Sequence, residues 1–94
     1  GLRMASEYDI GDSVVLTSTF TVSGTLTNPG AVTVTIKLPD GTTTTPSASN
    51  VSTGVYRATY TTTQAGTHWV RFLGTPPAQG AEEISFSVRP SRVL

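Results

Sequence analysis

Cysteine is absent from the 94 residues. Disulfides, thiolate metal sites and cysteine nucleophiles are excluded with it. Small extracellular domains often depend on disulfides, so the absence leans away from a eukaryotic secreted module and leaves bacterial surfaces and virus particles open. Charge is scarce as well: charged residues make up 13 % and the formal net charge is 0. Nucleic-acid binding needs a basic stripe that displaces counterions, and there is none. No block of like charge is present to drive disorder. No run approaches the roughly 20 apolar residues of a membrane-spanning helix, and no signal-peptide pattern opens the chain. Helical periodicity is missing throughout. Methionine, tryptophan and histidine occur once each, as Met4, Trp69 and His68.

The length suits one domain with a real core. Met4 is followed by Ala5-Ser6, which reads as a native start preceded by an added Gly1-Leu2-Arg3. On that reading the natural protein is a small, complete polypeptide. The expected organisation is an N-terminal arm at 1–6, a domain at 7–90 and a tail at 91–94.

Within the domain the pattern has period two. Val14, Leu16, Ser18, Phe20 and Val22 share one strand face, opposite Val15, Thr17, Thr19 and Thr21. Val32, Val34, Ile36 and Leu38 alternate with Thr33, Thr35 and Lys37. Residues 42–45 form a short edge strand closed by Pro46. Tyr56, Ala58 and Tyr60 alternate with Val55, Arg57 and Thr59. His68, Val70 and Phe72 oppose Trp69, Arg71 and Leu73. Ile84, Phe86 and Val88 alternate with Ser85, Ser87 and Arg89, and a short strand near residues 7–10 comes first. "TNPG" (27–30), "PDG" (39–41), "SASNVSTG" (47–54), "QAG" (64–66) and "GTPPAQG" (74–80) read as turns and loops. About seven short strands with turn signals roughly every 8–12 residues predict an all-β antiparallel sandwich. Its core is expected to hold Val14, Leu16, Phe20, Val34, Ile36, Tyr56, Ala58, Tyr60, Val70, Phe72, Ile84, Phe86 and Val88.

Catalytic candidates are few. A serine–histidine–acid triad would need His68, which lies within a strand pattern and is expected at a sandwich rim. There is no G-x-S-x-G elbow and no glycine cluster ahead of a helix. Glu7, Asp9 and Asp12 in "EYDIGD" could give a calcium ion a few of the roughly six or more oxygens it needs. The competing reading makes them guards of strand ends and an edge. Asn50-Val51-Ser52 fits a glycosylation sequon. The expectation is no catalytic residue, no metal, no cofactor and no small-molecule substrate.

Trp69 is the informative residue. If Val70 and Phe72 face the core, Trp69 and Arg71 face outward together, and both types are enriched in interface hot spots. Thr59 and Thr61 would then supply a neutral rim. The other register buries Trp69 as the central aromatic. A sugar platform is a third reading, weakened by the lack of further exposed aromatics.

"GDSVVLTSTF" (11–20) resembles the second strand of an immunoglobulin-like (Ig-like) domain. "STGVYRA" (52–58) resembles that fold's tyrosine corner, with Ser18 and Ala58 where the two cysteines would stand. Two strands follow Tyr56, however, whereas the corner belongs to the penultimate strand. Gly54, Tyr56, Tyr60, Gly66, His68 and Val70, with Phe86 and Val88 in the last strand, are more similar to filamin-type and bacterial Ig-like domains. That match implies His68, Val70 and Phe72 inside, and Thr62 stands where it expects proline. The layout of "YDIGD", "PDGT", "TGVYRATY", "AGTHWVRFLG" and "EEISFSV" resembles small Ig-like virion proteins of tailed bacteriophages. This implies a structural component of a capsid, neck or tail whose partners are other virion proteins, with self-association also open. The alternative is an Ig-like or filamin-like interaction module at a bacterial cell surface.

Overall fold

The computed structural model describes residues 7–90. The arm at 1–6, the Met4 start and the tail at 91–94 lie outside the described residues. Ten strands and no helix make up the described chain: β1 (Glu7–Asp9), β2 (Ser13–Thr19), β3 (Thr21–Val22), β4 (Thr25–Leu26), β5 (Val32–Lys37), β6 (Thr43–Thr44), β7 (Ser49–Ser52), β8 (Val55–Thr61), β9 (Gly66–Gly74) and β10 (Gly80–Arg89). They form a five-stranded sheet in the order β1-β10-β9-β5-β6, a three-stranded sheet β2-β8-β7 and a small hairpin β3-β4. All pairings are antiparallel except β1 with β10.

Alternation sets the inner faces. Along β2, Val14, Leu16 and Ser18 are buried while Ser13, Val15, Thr17 and Thr19 are exposed. Along β9, His68, Val70, Phe72 and Gly74 are buried between exposed neighbours. A shift of one residue would turn each apolar set to solvent, so burial of one face locks the register. Every expected core residue lies in the apolar cluster, with Tyr56, Tyr60 and Ile84 partly buried against it.

The strand count and limits differ from the expectation. The predicted strand through Val22 stops at Thr19, and Phe20 leaves the ladder to close one end of the sandwich. Its N–H donates to Gly54 O at 2.7 Å, and its carbonyl accepts from Thr27 N at 3.1 Å. Its ring meets Tyr56 edge to face at 5.8 Å. Ser23 and Gly24, at φ 49° and 79°, then turn the β3-β4 hairpin, with both central residues at positive φ as a tight two-residue turn requires. Val22 is consequently exposed. The loop expected at 47–54 contains β7, which pairs with β8 across a register shift. Ser18 and Ala58 sit in the same sheet, paired to Tyr56 and Leu16 respectively, so they do not occupy the facing positions of an inter-sheet disulfide.

His68 is fully buried rather than at a rim. It stacks on Phe86 at 4.7 Å, and Tyr8 meets the same Phe86 ring edge to face at 5.7 Å. Its Nδ1 donates to Gly66 O at 3.2 Å. Its Nε2 has no hydrogen-bond partner. The ring behaves here as an aromatic core side chain.

Candidate interaction surface

The outer face of the five-stranded sheet carries the exposed aromatic. Burial of His68, Val70 and Phe72 forces Trp69 and Arg71 outward on β9, and Trp69 is 59 % exposed. The register places Lys37 of β5 and Ser85 of β10 on either side of Trp69. Arg71 lies between Thr35 and Glu83. Thr43 of β6 extends the Lys37 row. Thr35, Lys37, Thr43, Trp69, Arg71 and Glu83 line an open, shallow groove of about 390 Å³. Leu73, also exposed, continues the apolar line two residues beyond Arg71.

Arg71 Nε lies 3.8 Å from Glu83 Oε2, with both side chains more than half exposed. Such a pair is worth little and is screened by salt. Arg71 can therefore exchange Glu83 for a partner's acceptor at small cost. Lys37 and Arg71 outnumber Glu83 among the groove's charges, which makes it weakly cationic. A large rigid indole, a guanidinium fork and neutral threonines form a surface suited to binding another protein.

Thr59 and Thr61 do not belong to this surface. They face outward from β8, in the three-stranded sheet, paired to Val15 and Ser13. Two alternating strands around the turn at 64–66 predict β8 and β9 as neighbours. The chain instead crosses from one sheet to the other between them. Thr62 anchors the crossing: it is buried, its hydroxyl donates to Asp9 O at 2.8 Å and accepts from Gly11 N at 3.0 Å, and its N–H donates to Asp12 O at 3.0 Å. One buried threonine among many exposed ones left no distinguishing signal in the sequence.

The other candidates have structural partners. Arg89 Nε donates to Asp9 Oδ1 at 3.0 Å, and Arg89 also lies 3.5 Å from Glu7. The hydrogen bond to Asp9, followed by its charge, raises the arginine's pKa. Asp12 accepts the N–H of Asp9 at 2.9 Å. Among the described residues no group of three or more His, Asp or Glu side chains converges as metal ligands. A thermal melt with and without excess chelator is expected to give the same midpoint, and a drop of many degrees would restore the "EYDIGD" calcium reading. Asn50 Nδ2 is engaged by Ser52 O at 2.7 Å and Val55 O at 3.1 Å, so the sequon amide serves to brace the β7–β8 turn. Asp40 accepts from the hydroxyl and N–H of Thr42 and from Gln64 Nε2. Those bonds, the Thr42 hydroxyl first, hold its carboxyl below the ordinary range and tie two loops at one end of the sandwich. The stability this adds is present above the ordinary carboxylate pKa and is lost as pH falls through the lowered value.

No family model matches the chain, and no curated protein matches it. Among solved structures, it is similar to a protein of Bacteroides vulgatus ATCC 8482 provisionally described as a glycoside hydrolase, with a TM-score of 0.63 and 16 % identity. The match covers 90 % of this chain and 16 % of that one. At that identity the likeness concerns the fold: the same small all-β unit occurs there as a fraction of a much longer protein.

Proposed function

We propose that the chain is a non-enzymatic Ig-like docking module, a structural component of a tailed-bacteriophage virion that binds a capsid, neck or tail protein through the Trp69–Arg71 face. The observation that carries the reading is Trp69 itself, a tryptophan left 59 % exposed in a groove beside Arg71 and Lys37. The sheet order supports the Ig-like assignment: a first strand parallel to the last, facing a three-stranded sheet of β2, β8 and β7. The motif resemblance supports the virion setting. Burial of the single histidine removes that residue as a candidate general base, because a general base must reach its substrate.

Trp69→Ala tests it. Exposed substitutions usually change stability by less than about 1 kcal/mol, so the urea midpoint should barely move. Association with purified virions should weaken by about 2 kcal/mol or more, roughly thirtyfold, as at an interface hot spot. Wild-type binding by the variant would overturn the assignment of this face.

A second reading makes the chain an Ig-like module of a longer bacterial surface protein. The observation behind it is that a similar fold forms part of a longer Bacteroides protein. Antibody against the chain should label purified phage particles on the first reading and bacterial cells on the second.

A further inference from the structure

The sheet edges are not equally protected. An exposed strand edge invites pairing with another chain, and proteins blunt it with charge, proline, bulges or shortness. β1 is three residues long and carries Glu7 and Asp9. The longer part of β10 that β1 leaves uncovered carries Glu82 and Glu83. β6 is two residues long, with Pro46 shortly after it, and β5, bare at residues 32–35, ends at Lys37. β7 is broken by its register shift.

β2 has none of these devices. All seven of its residues pair with β8 without a break, and among the described residues no strand pairs along its other side. "SVVLTST" contains no charge, proline or glycine, and Val15 is 56 % exposed on its outer face.

We infer that this edge pairs with the same edge of a second copy, antiparallel and centred on Leu16. Leu16 is the midpoint of β2, so this register brings all seven residues of one strand opposite the seven of the other. Leu16 meets Leu16 of the other copy, Val14 meets Ser18, Val15 meets Thr17 and Ser13 meets Thr19. Each pair joins two inward or two outward residues, so the inner and outer faces continue across the junction. Outward β-branched pairs such as valine with threonine favour sheet pairing, and no like charges oppose one another. The result is a closed two-fold dimer with a self-complementary interface. Its joined six-stranded sheet keeps both five-stranded sheets on one side. The two Trp69 faces then point the same way, and a partner array could be held bivalently.

Sedimentation equilibrium of the full chain over a range of concentrations tests the inference, with thermal melts to show that each variant is folded. The wild type should dimerise. Val15→Lys with Thr17→Lys places lysine opposite lysine across the junction and should raise the dimer dissociation constant by about tenfold or more. Val15→Glu with Thr17→Lys places glutamate opposite lysine in the same register and should restore the dimer. Trp69→Ala should leave the equilibrium unchanged, which separates this result from the fate of the docking proposal. A wild type that stays monomeric overturns the inference, as it would if another segment covered the edge. So does a dimer insensitive to the lysine pair, one the charge-paired variant fails to restore, or one that Trp69→Ala abolishes.

Discussion

Phe72→Ala is expected to lower the unfolding free energy by about 3–5 kcal/mol, the range for deleting a buried aromatic ring. Phe72 is fully buried and heads the largest fully buried side chains. It stands on β9, with β5 and β10 hydrogen-bonded on either side, where its register partners are Val34 and Glu82. Strands paired on both flanks cannot easily close over the vacancy, so a cavity cost adds to the lost transfer energy. A domain of this size has only about 5–15 kcal/mol in total, so the variant should lose a large share of it. The neighbouring Leu73 is 43 % exposed, and Leu73→Ala should change stability by less than about 1 kcal/mol. Urea denaturation of the two variants is a direct test of register. Similar losses at both positions would mean that β9 does not alternate as described.

That contrast of adjacent residues was legible in the sequence, because period two assigns every residue of a half-buried strand to a face. The whole expected core, from Val14 to Val88, follows from it, whereas the sequence leaves two registers open for Trp69 and the structure shows the one that exposes it. Polar members of the inner face were less visible. Ser18 is buried and donates to Glu82 Oε1 at 2.6 Å, yet a serine in an alternating run carries no apolar signal. Sheet membership was hidden altogether at the β8–β9 connection. A hairpin and a crossover can share the same local wording, two alternating strands around a glycine, and only the pairing partners tell them apart. The local pattern therefore predicts Thr59 and Thr61 beside Trp69, although they lie on the other sheet. The β3-β4 hairpin did have a signal, the Ser23-Gly24 pair, but the alternation of Phe20 and Val22 with the preceding strand masked it. β7 was masked by a loop-like composition, since Ser49, Asn50 and Ser52 are turn residues by type.

Gly54→Ala is expected to destabilise the domain by about 2–5 kcal/mol, combining the cost of a left-handed backbone for a residue with a Cβ with that of overpacking. Gly54 has φ 76°. A Cβ there would lie 2.6 Å from the carbonyl oxygen of Phe20 and 3.0 Å from the N–H nitrogen of Thr27. Both atoms are backbone, so no flexible side chain can move aside. Gly54 also holds this end of the sandwich together. Its N–H donates to Asn28 Oδ1 at 2.6 Å, and its carbonyl accepts from Phe20 N. Displacing it would disturb the bonds that let Phe20 leave β2 and pack on Tyr56. Gly41 is the control. It too has a positive φ, 91°, but a Cβ there would meet nothing within 4 Å. Gly41→Ala should therefore cost only the backbone strain, about 1–2 kcal/mol. Denaturation midpoints of the two variants separate strain from contact. Equal losses would show that the close approach of Gly54 to Phe20 adds nothing to the stability of this end of the fold.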